Sequence, residues 1–502
     1  MNTFLLYKNH DFNPQQKLPW NEKAITQDLE LNTLFDAMSS GDEFLFEVAK
    51  KVILSGMDNS LDTIKYRQNI LKDCHKNSSI IRAIYAIAVE GVESQKKNWY
   101  GIFTKYPSSV LSGSTGMMQT FVDILKKLKS MADEHSEKFA SEGFIRFFEM
   151  LKKELGDEYF LDIENHLNEL IFKEGKLISA ELGKGNKGIN YVLRKLQDKK
   201  PSWLQRLFPP KSSVYTFYIH PRDESGARAL SDLNNEGINL VANAVAQSND
   251  HILSFFSLLR AELGFYVGCL NLQELLTQMG ELYSFPLPAP SYERQHTFKG
   301  LYDVCLALSM QQKITGNDLN AGNKDLVIIT GANQGGKSTF LRSIGLSQLM
   351  MQSGMFVPAA SYSANTCSAL FTHFKREEDT TMKSGKFDEE LSRMSNIADH
   401  VAVNSILLFN ESFAATNERE GSEIARQIVY ALLEKHIKVF FVTHLYDLAN
   451  SYYEKKMDNA IFLRAEREAD TTRTFKVTEG KPLQTSYGVD LYNRIFEKES
   501  AF

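Results

Sequence analysis

One segment of the sequence, nine residues long, has the residue types and the spacing of a phosphate-binding loop. It reads GANQGGKST from Gly331 to Thr339 and satisfies the pattern Gly-x-x-x-x-Gly-Lys-Ser/Thr. The apolar run DLVIIT precedes it and an amphipathic helical pattern follows it, so both flanking elements that such a loop needs are predicted. In this motif the glycines let backbone N–H groups close around phosphate oxygens, and the helix adds its positive N-terminal end. The segment therefore predicts a nucleotide site.

The residues of this loop have separate predicted tasks. Lys337 is expected to reach the β- and γ-phosphates, and Ser338 is expected to hold Mg²⁺. The alternative interpretation is a glycine turn that binds no nucleotide. The predicted nucleotide-binding residues of the loop are Gly331, Asn333, Gly335, Gly336, Lys337, Ser338 and Thr339.

Polar residues at the ends of two later apolar runs are placed to act on a bound nucleotide. Glu411 follows SILLFN and could activate an attacking water, while Asn410 stands where an aspartate would normally support the Mg²⁺ shell, so slow turnover is expected. His444 ends VFFVTH and could sense the γ-phosphate. The alternatives are a surface acid for Glu411 and a packed histidine for His444. The predicted catalytic residues are Glu411, Lys337 and His444, and the predicted metal-binding residues are Ser338, Asn410 and Glu411.

The sequence around these residues divides into a helical half and a mixed half. Apolar residues recur at helical spacing from about 29 to 155 and again from 223 to 283, and three prolines between 286 and 290 end this pattern. Beyond them, apolar runs such as DLVIIT and VFFVT alternate with helical patterns, which predicts a parallel sheet covered on both faces. We expect a multidomain fold, an all-α domain followed by an α/β P-loop domain, with an N-terminal segment at 1–28, a helical domain at 29–285 and the P-loop domain at 286–502.

Length, composition and charge exclude several classes of protein. A chain of 502 residues predicts two to four domains, and 43% hydrophobic and 24% charged residues are typical of a globular protein. The net charge of −5 gives no global attraction to nucleic acid. Because the four cysteines are far apart and no apolar stretch approaches 18 residues, neither a zinc site, a disulfide framework nor a membrane span is predicted. A cytoplasmic location is expected.

A regional basic segment stands out against the acidic total. Between 184 and 211 there are eight lysines and arginines and one acid, Asp198, with aromatic residues between them. One interpretation is a solvated connection, and the other is a contact with the phosphate backbone of DNA, which needs only clustered cations. The segment falls in a predicted clamp-like basic insertion at about 155–215. The predicted DNA-binding residues are Lys184, Lys187, Arg194, Lys195, Lys199 and Lys200.

Several motifs together resemble one family. The segments TGANQGGKSTFLRS, MFVPA, SGKFDEELSRMSNIAD, LLFNESFAATNEREG, FVTHLYDLA and TSYGVDL occur in the order and approximate spacing of the MutS family, the DNA mismatch-repair ATPases related to the ABC class. Upstream, LDTIKYRQNILKD resembles the family's helical core domain, and the helices of 223–283 are similar to its levers. The resemblance implies a core and lever domain followed by an ABC-type ATPase domain.

The resemblance also implies a dimer, with itself or with a different partner, in which each ATP lies between the P-loop of one subunit and a signature segment of the other. Here that segment would be Ser384 to Phe387, and the family's Ser-Thr-Phe reads Gly-Lys-Phe, so Ser384 is expected to substitute as the nucleotide contact. Asn410 departs from the family's aspartate, and Phe413 and Ala415 replace the glycines that usually follow the catalytic glutamate. Thr416 and Gly421 keep their family places.

Two parts of the family pattern are not found in the sequence. Core-like helices begin near residue 30, which leaves no room for the mismatch-reading and connector domains, so direct recognition of a mispaired base is not expected. The triplet Phe147-Phe148-Glu149 is similar to the family's intercalating motif, but its helical pattern predicts core packing. The chain also ends soon after SYGVDL, where the family continues into helices that embrace the partner subunit, so a weaker dimer is expected, or one stabilised by another protein.

The function predicted from these observations is that of a MutS-like ATP-dependent DNA-binding protein. ATP with Mg²⁺ would be bound and hydrolysed at a dimer interface and coupled to clamping of duplex or branched DNA, in mismatch repair or a related DNA transaction. One alternative is a nucleotide-gated scaffold with little hydrolysis, because of Asn410 and the altered signature. Another is a MutS-like ATPase whose partner is a protein rather than DNA.

Overall fold

The computed structural model describes residues 1–98, 106–173, 175–195, 215–332, 334–376, 385–467 and 473–484. Its helices are α1 (Glu22–Asp28), α2 (Leu31–Ser39), α3 (Glu43–Leu54), α4 (Leu61–Lys76), α5 (Ser78–Asn98), α6 (Pro107–His135), α7 (Glu142–Glu154), α8 (Asp157–Glu169), α9 (Glu224–Gln278), α10 (Val304–Met310), α11 (Lys337–Gln352), α12 (Lys386–His400), α13 (Glu418–Glu434) and α14 (Tyr446–Glu454). Its strands are β1 (Leu177–Leu182), β2 (Gly188–Arg194), β3 (Leu287–Ala289), β4 (His296–Leu301), β5 (Asn317–Asn320), β6 (Leu326–Thr330), β7 (Ser361–Asn365), β8 (Leu370–Phe374), β9 (Ile406–Asn410), β10 (Lys438–Val442), β11 (Ala460–Arg467) and β12 (Arg473–Glu479).

Side-chain caps mark the starts of several helices. The Asp42 carboxylate accepts hydrogen bonds from two N–H groups in the first turn of α3, and Ser60 accepts one from Thr63 at the start of α4. Asn417 does the same for α13 by accepting from the N–H of Glu420. These short polar side chains satisfy helix N–H groups that have no partner within the helix, which fixes where the helix begins.

The chain forms two compact units that alternate along the sequence. The first contains residues 1–3, 82–139 and 145–260, and the second contains 4–81, 140–144 and 261–502. The helix α9 contributes residues to both units. The domains predicted from the sequence are continuous segments, whereas these units are not, and the boundaries at 28/29 and 285/286 stay predictions.

A β-hairpin lies among the helices of the first unit. Strands β1 and β2 pair antiparallel, with Leu177 opposite Arg194, and Gly185 has a positive φ of 71° in the turn between them. Residues of β2, α6 and α9 form one apolar cluster, and its buried members are Leu111, Ile238 and Ala242. The expectation of an all-α first half is therefore wrong over 177–194, where the branched residues of LISAEL and GINYVLR favour strands.

The main sheet of the second unit carries the predicted strands at its centre. Its order is β12-β11-β6-β10-β9-β8, in which β11, β6, β10, β9 and β8 run parallel and β12 pairs antiparallel with β11. Alternate residues face opposite sides: Leu407 and Phe409 join an apolar cluster with α12, α13 and α14, whereas Leu408 packs against Gly345 of α11. Helices thus cover both faces, as the continuous apolar runs predict.

Leu5, Leu6 and Phe12 of the N-terminal segment are buried in the second unit. The carboxylate of Glu262, which is fully buried on α9, accepts hydrogen bonds from the N–H groups of Leu5 at 2.6 Å and Phe12 at 2.7 Å. The guanidinium of Arg67 donates to the carbonyl oxygens of Leu6 and Ser353. Charged side chains thus satisfy backbone groups that would otherwise be buried without partners.

The most apolar parts of α7 and α9 are largely buried inside the protein. Phe147 and Phe148 are 2% and 1% exposed, which confirms core packing for the Phe-Phe-Glu triplet. Among the helices described, α9 alone is long and apolar enough to cross a membrane, but 72% of its most apolar window is buried inside the protein, as in a core helix.

Candidate nucleotide-binding site

The glycine-rich loop connects the buried strand β6 to α11 in a conformation that needs glycine. Gly331 and Gly336 have φ values of +113° and +84°. A Cβ atom at Gly331 would lie 3.0 Å from the backbone nitrogen of Ala465, and one at Gly335 would lie 2.9 Å from the Cβ of that alanine. The loop is therefore pressed against β11, and side chains at these positions would collide with it. Asn333 lies outside the described residues.

Lys337 begins α11 and turns its side chain back over the loop. Its Nζ donates hydrogen bonds to the carbonyl oxygens of Gly331 at 3.0 Å and Ala332 at 2.8 Å, and the residue is 4% exposed. Burial lowers the pKa of this amine to about 8, against the opposing effect of the Glu411 carboxylate. The amine thus lies inside the loop with its positive charge poorly solvated.

The strand register brings the other predicted residues to the same edge of the sheet. Val442 of β10 pairs with both Asn410 of β9 and Ile329 of β6, so the carboxyl ends of the three strands are level. Ser338 Oγ donates a hydrogen bond to Asn410 Oδ1 at 2.9 Å. This contact joins the start of α11 to the end of β9.

Glu411 and His444 form a second contact at this edge. His444 Nε2 lies 2.9 Å from Glu411 Oε1, and the N–H of Glu411 donates to the carbonyl oxygen of Val442. The hydrogen bond with His444 lowers the pKa of the Glu411 carboxyl below its ordinary value, although partial burial acts in the other direction. The side chains of Glu411 and His444 are 30% and 29% exposed, so water can reach both. This accessibility contradicts the alternative of a packed histidine for His444.

A cavity of about 410 Å³ opens beside the loop. One wall consists of residues 334–340 and Glu411, and the other contains Tyr302, Ile314, Asn317 and Phe475. Asn317 Nδ2 donates to the carbonyl oxygen of Phe475, and Asn317 Oδ1 accepts from the N–H of Val477, so β5 holds β12 over the loop. Sequence reasoning missed Phe475, because an edge strand far along the chain carries it and no motif marks it.

The remaining predicted residues lie at several places. Gly385 precedes α12, whose first turn contains Lys386 and Phe387, whereas Ser384 is outside the described chain. Four of the predicted DNA-binding residues belong to the hairpin of the first unit or follow it directly: Lys184, Lys187, Arg194 and Lys195. Lys195 forms an exposed ion pair with Glu169 at 2.5 Å. The other two, Lys199 and Lys200, are among the residues that the structure does not describe.

Two segments of the chain match models of known protein families. The family model described as MutS2 N-terminal domain matches residues 59–279, and the one described as MutS domain V matches residues 327–497. The proteins named DNA mismatch repair protein MutS from Finegoldia magna and from Thermotoga sp. strain RQ2 are similar to this chain. The first is 32% identical over 193 residues, which is 38% of this chain and 22% of the relative. The second is 31% identical over 212 residues, 42% of this chain and 26% of the relative.

This chain spans only 22% and 26% of the length of these two relatives. The two family models, however, match in order and fall on different parts of the fold. The first takes in α9, and the second takes in the glycine-rich loop, the level strand ends and the cavity wall that the loop and Glu411 form. On these matches, the chain belongs to the MutS family.

Proposed function

We propose that this chain is an ATPase that binds DNA and couples its grip on DNA to the nucleotide that it holds. The observation that carries the proposal is the 2.9 Å hydrogen bond from Ser338 to Asn410. It places the first turn of the loop's helix against the strand end from which Glu411 follows. Residues of the loop and the candidate base Glu411 thus line one cavity.

The loop supports phosphate binding. Gly331 and Gly336 have the positive φ values that turn the loop, and Gly331 and Gly335 let it lie against β11, so its backbone N–H groups would be able to meet phosphate oxygens. Lys337 would exchange the two carbonyl oxygens that it contacts for oxygens of the β- and γ-phosphates, which carry full charge and bind an amine more strongly. The cavity between Tyr302, Ile314 and Phe475 would take the rest of the nucleotide.

The donor set at the strand ends fits Mg²⁺. The hydroxyl of Ser338, the amide oxygen of Asn410 and the carboxylate of Glu411 are the oxygen ligands, direct or through water, that this ion prefers. When bound, Mg²⁺ would neutralise charge on the phosphates. Glu411 would accept the proton of the attacking water, since its lowered pKa keeps it ionised at neutral pH. His444 would orient that carboxylate through its 2.9 Å bond.

The DNA contact is proposed for the basic hairpin. Lys184 and Lys187 lie exposed in its turn, and clustered cations are sufficient for binding to a phosphate backbone. The relatives' name, DNA mismatch repair protein, supports a role in a DNA transaction. We further propose that the chain forms a dimer with itself or with a different partner, in which Ser384 to Phe387 contact the other subunit's ATP. We also propose a core and lever domain at 29–285 and an ATPase domain at 286–502. The proposed location is cytoplasmic.

The ATPase proposal is tested by phosphate release with and without Mg²⁺. We expect the native protein to hydrolyse ATP and Glu411→Gln to bind ATP with little release. Glu293→Gln changes an exposed glutamate before β4 in the same way and should hydrolyse at the native rate. Equal rates for the native protein and Glu411→Gln would reject hydrolysis at this site.

The DNA proposal is tested by charge reversal. The double variant K184E/K187E should bind duplex DNA more weakly and show a smaller dependence of affinity on salt. K455E/K456E reverses two exposed lysines of the second unit and makes the same change of net charge, so it should bind like the native protein. Equal binding by both variants would instead favour a protein partner.

A second candidate function is a nucleotide-gated scaffold that hydrolyses little. It is favoured by Asn410, which places a neutral amide 2.9 Å from Ser338 where the family has a charged carboxylate. Tight ATP binding with no measurable phosphate release by the native protein would support this alternative.

A further inference from the structure

The loop that carries Glu411 has a backbone conformation that ordinary residues avoid. Glu411 has a φ of +53° and Phe413 a φ of +63°, and neither is glycine. Side chains with a Cβ are strained in this region, so neighbouring contacts must hold the loop there. The contacts described next come from two other elements of the second unit, α12 and β8.

The first contact comes from Glu390 on α12. Its Oε2 accepts a hydrogen bond from the backbone N–H of Phe413 at 3.0 Å, and the residue is 2% exposed. The other oxygen, Oε1, is buried and has no hydrogen-bond partner among the residues that the structure describes. Burial raises the pKa of this carboxyl, whereas the bond from Phe413 opposes that effect. The Glu390 side chain is thus buried beside the loop, and only one of its two oxygens accepts a hydrogen bond from a described residue.

The second contact comes from His373 on β8. Its Nε2 lies 3.0 Å from the carbonyl oxygen of Glu390, and its Nδ1 lies 2.7 Å from the hydroxyl oxygen of Ser412. Because a carbonyl oxygen can only accept, Nε2 carries the proton and donates it. Burial lowers the pKa of His373 to about 4, so the ring is neutral. The Ser412 hydroxyl lies beside Nδ1 and donates a hydrogen bond to the backbone carbonyl oxygen of His373. The histidine therefore bridges α12 and the loop.

The side chain of Phe413 completes the arrangement. It is fully buried and its ring stacks on that of His373, with centroids 5.2 Å apart and an angle of 16° between the planes. The ring also lies 5.9 Å from that of Phe409 at the end of β9. Both the backbone and the side chain of Phe413 are thus fixed, two residues after Glu411.

We propose that Glu390, with His373 and Ser412, is a positioning residue for Glu411: it holds the loop after β9 so that the Glu411 carboxylate faces the cavity. We call these three residues the loop anchor. The inference rests on the proposed function, since it assigns Glu411 the role of base. A movement of α12, which begins in the predicted signature segment, would be passed to Glu411 through the loop anchor.

The test combines hydrolysis kinetics with amide exchange in the full-length protein. Glu390→Ala removes the acceptor, whereas Glu390→Gln keeps an oxygen that can accept from Phe413. We expect Glu390→Ala to lower kcat by about tenfold or more with KM changed less than about twofold, and Glu390→Gln to restore most of the rate. Hydrogen exchange at the Phe413 amide should speed up in Glu390→Ala and return towards the native rate in Glu390→Gln. Asp399→Ala removes an exposed carboxylate from the other end of α12 and should change neither quantity.

The outcomes separate the inference from the proposed function. If the native protein hydrolyses ATP and Glu390→Ala keeps its kcat while the Phe413 amide exchanges faster, the loop anchor does not position Glu411. A rate that falls equally in Glu390→Ala and Glu390→Gln also overturns the inference, because the acceptor alone should suffice. If the native protein does not hydrolyse ATP, the proposed function fails, and unchanged exchange at Phe413 would overturn the anchor separately. Should Glu390→Ala not fold, Ser412→Ala removes one hydroxyl and should lower kcat in the same direction.

Discussion

His444 Nε2 and Glu411 Oε1 lie 2.9 Å apart although 33 residues separate them in the sequence. The neighbouring parallel strands β9 and β10 bring them together, because each residue follows the carboxyl end of its strand. The hydrogen bond between them is the largest influence on the ionisation of Glu411 and keeps its pKa below the ordinary value. The pKa of Glu411, the base proposed for hydrolysis, is therefore controlled mainly by its neighbour His444.

We predict that His444→Ala will move the acid limb of the pH–rate profile to higher pH. Without the hydrogen bond the pKa of Glu411 rises, so the carboxylate becomes protonated at a higher pH and the rate falls sooner as pH decreases. The measurement is kcat for ATP hydrolysis as a function of pH. His166→Ala, which removes an exposed histidine of the first unit, serves as control, and an unshifted limb in His444→Ala would show that the contact does not influence the base.

We predict that Asn410→Asp will increase ATP turnover. The aspartate can still accept from Ser338, whose hydroxyl lies 2.9 Å from Asn410 Oδ1, and it adds a negative charge beside the proposed Mg²⁺ site. The Mg²⁺ concentration needed for half-maximal rate should fall, and kcat should rise by roughly threefold to tenfold.

Asn404→Asp is the matched control for this change. It adds the same charge just before the other end of β9, so it should leave the Mg²⁺ dependence as in the native protein. If Asn410→Asp hydrolyses no faster and needs as much Mg²⁺, the missing aspartate is not what limits turnover.

The sequence predicted the glycine-rich loop and the strand ends because both depend on local patterns. GANQGGKST fixes a turn between a strand and a helix, and SILLFN and VFFVTH are apolar runs whose last residues must lie at one edge of a parallel sheet. Asn410, Glu411 and His444 therefore lie together as the motif order indicates. The sequence could not show that Ser338 contacts Asn410, since that depends on how α11 packs.

Other parts of the fold depend on contacts between distant residues, which no single-sequence pattern records. The burial of Leu5 and Phe12 follows from Glu262, about 250 residues away, whose carboxylate binds their N–H groups. The hairpin at 177–194 was missed because its cations and glycines suggested a connection, while its pairing depends on α9 and α6 for an apolar surface. No motif marks Glu390 as a contact of the loop after β9, because its bond to Phe413 crosses 23 residues.

We predict that nucleotide affinity will decrease as pH rises above about 8, where the buried Lys337 loses its proton. Phosphate oxygens would raise the pKa of this amine in the complex, so binding above that pH requires uptake of a proton. The dissociation constant for ADP should increase by up to about tenfold per pH unit between pH 8.5 and 9.5. Titration calorimetry at several pH values measures it. Lys337→Met should bind weakly with no such slope, and an equal slope in that variant would assign the titration to another group.

We predict that Gly421→Ala will disturb the loop after Glu411 and slow hydrolysis. A Cβ atom at Gly421 on α13 would lie 2.3 Å from the carbonyl oxygen of Phe413, a backbone atom that can move only with the loop. The free energy of unfolding should fall by about 1–3 kcal/mol, and kcat should fall further than the change in KM.

Gly116→Ala provides the comparison, since it makes the same substitution in the middle of α6 where nothing lies within 4 Å of the new Cβ. That variant should be more stable by roughly 0.5–1 kcal/mol, because alanine favours a helix and loses less freedom on folding. Thermal unfolding and phosphate release, measured on both variants, separate a local effect on the loop from a general effect of alanine. If Gly421→Ala matches Gly116→Ala in both measurements, α13 does not confine the Phe413 carbonyl, and the position of Glu411 must depend on α12 and β8 alone.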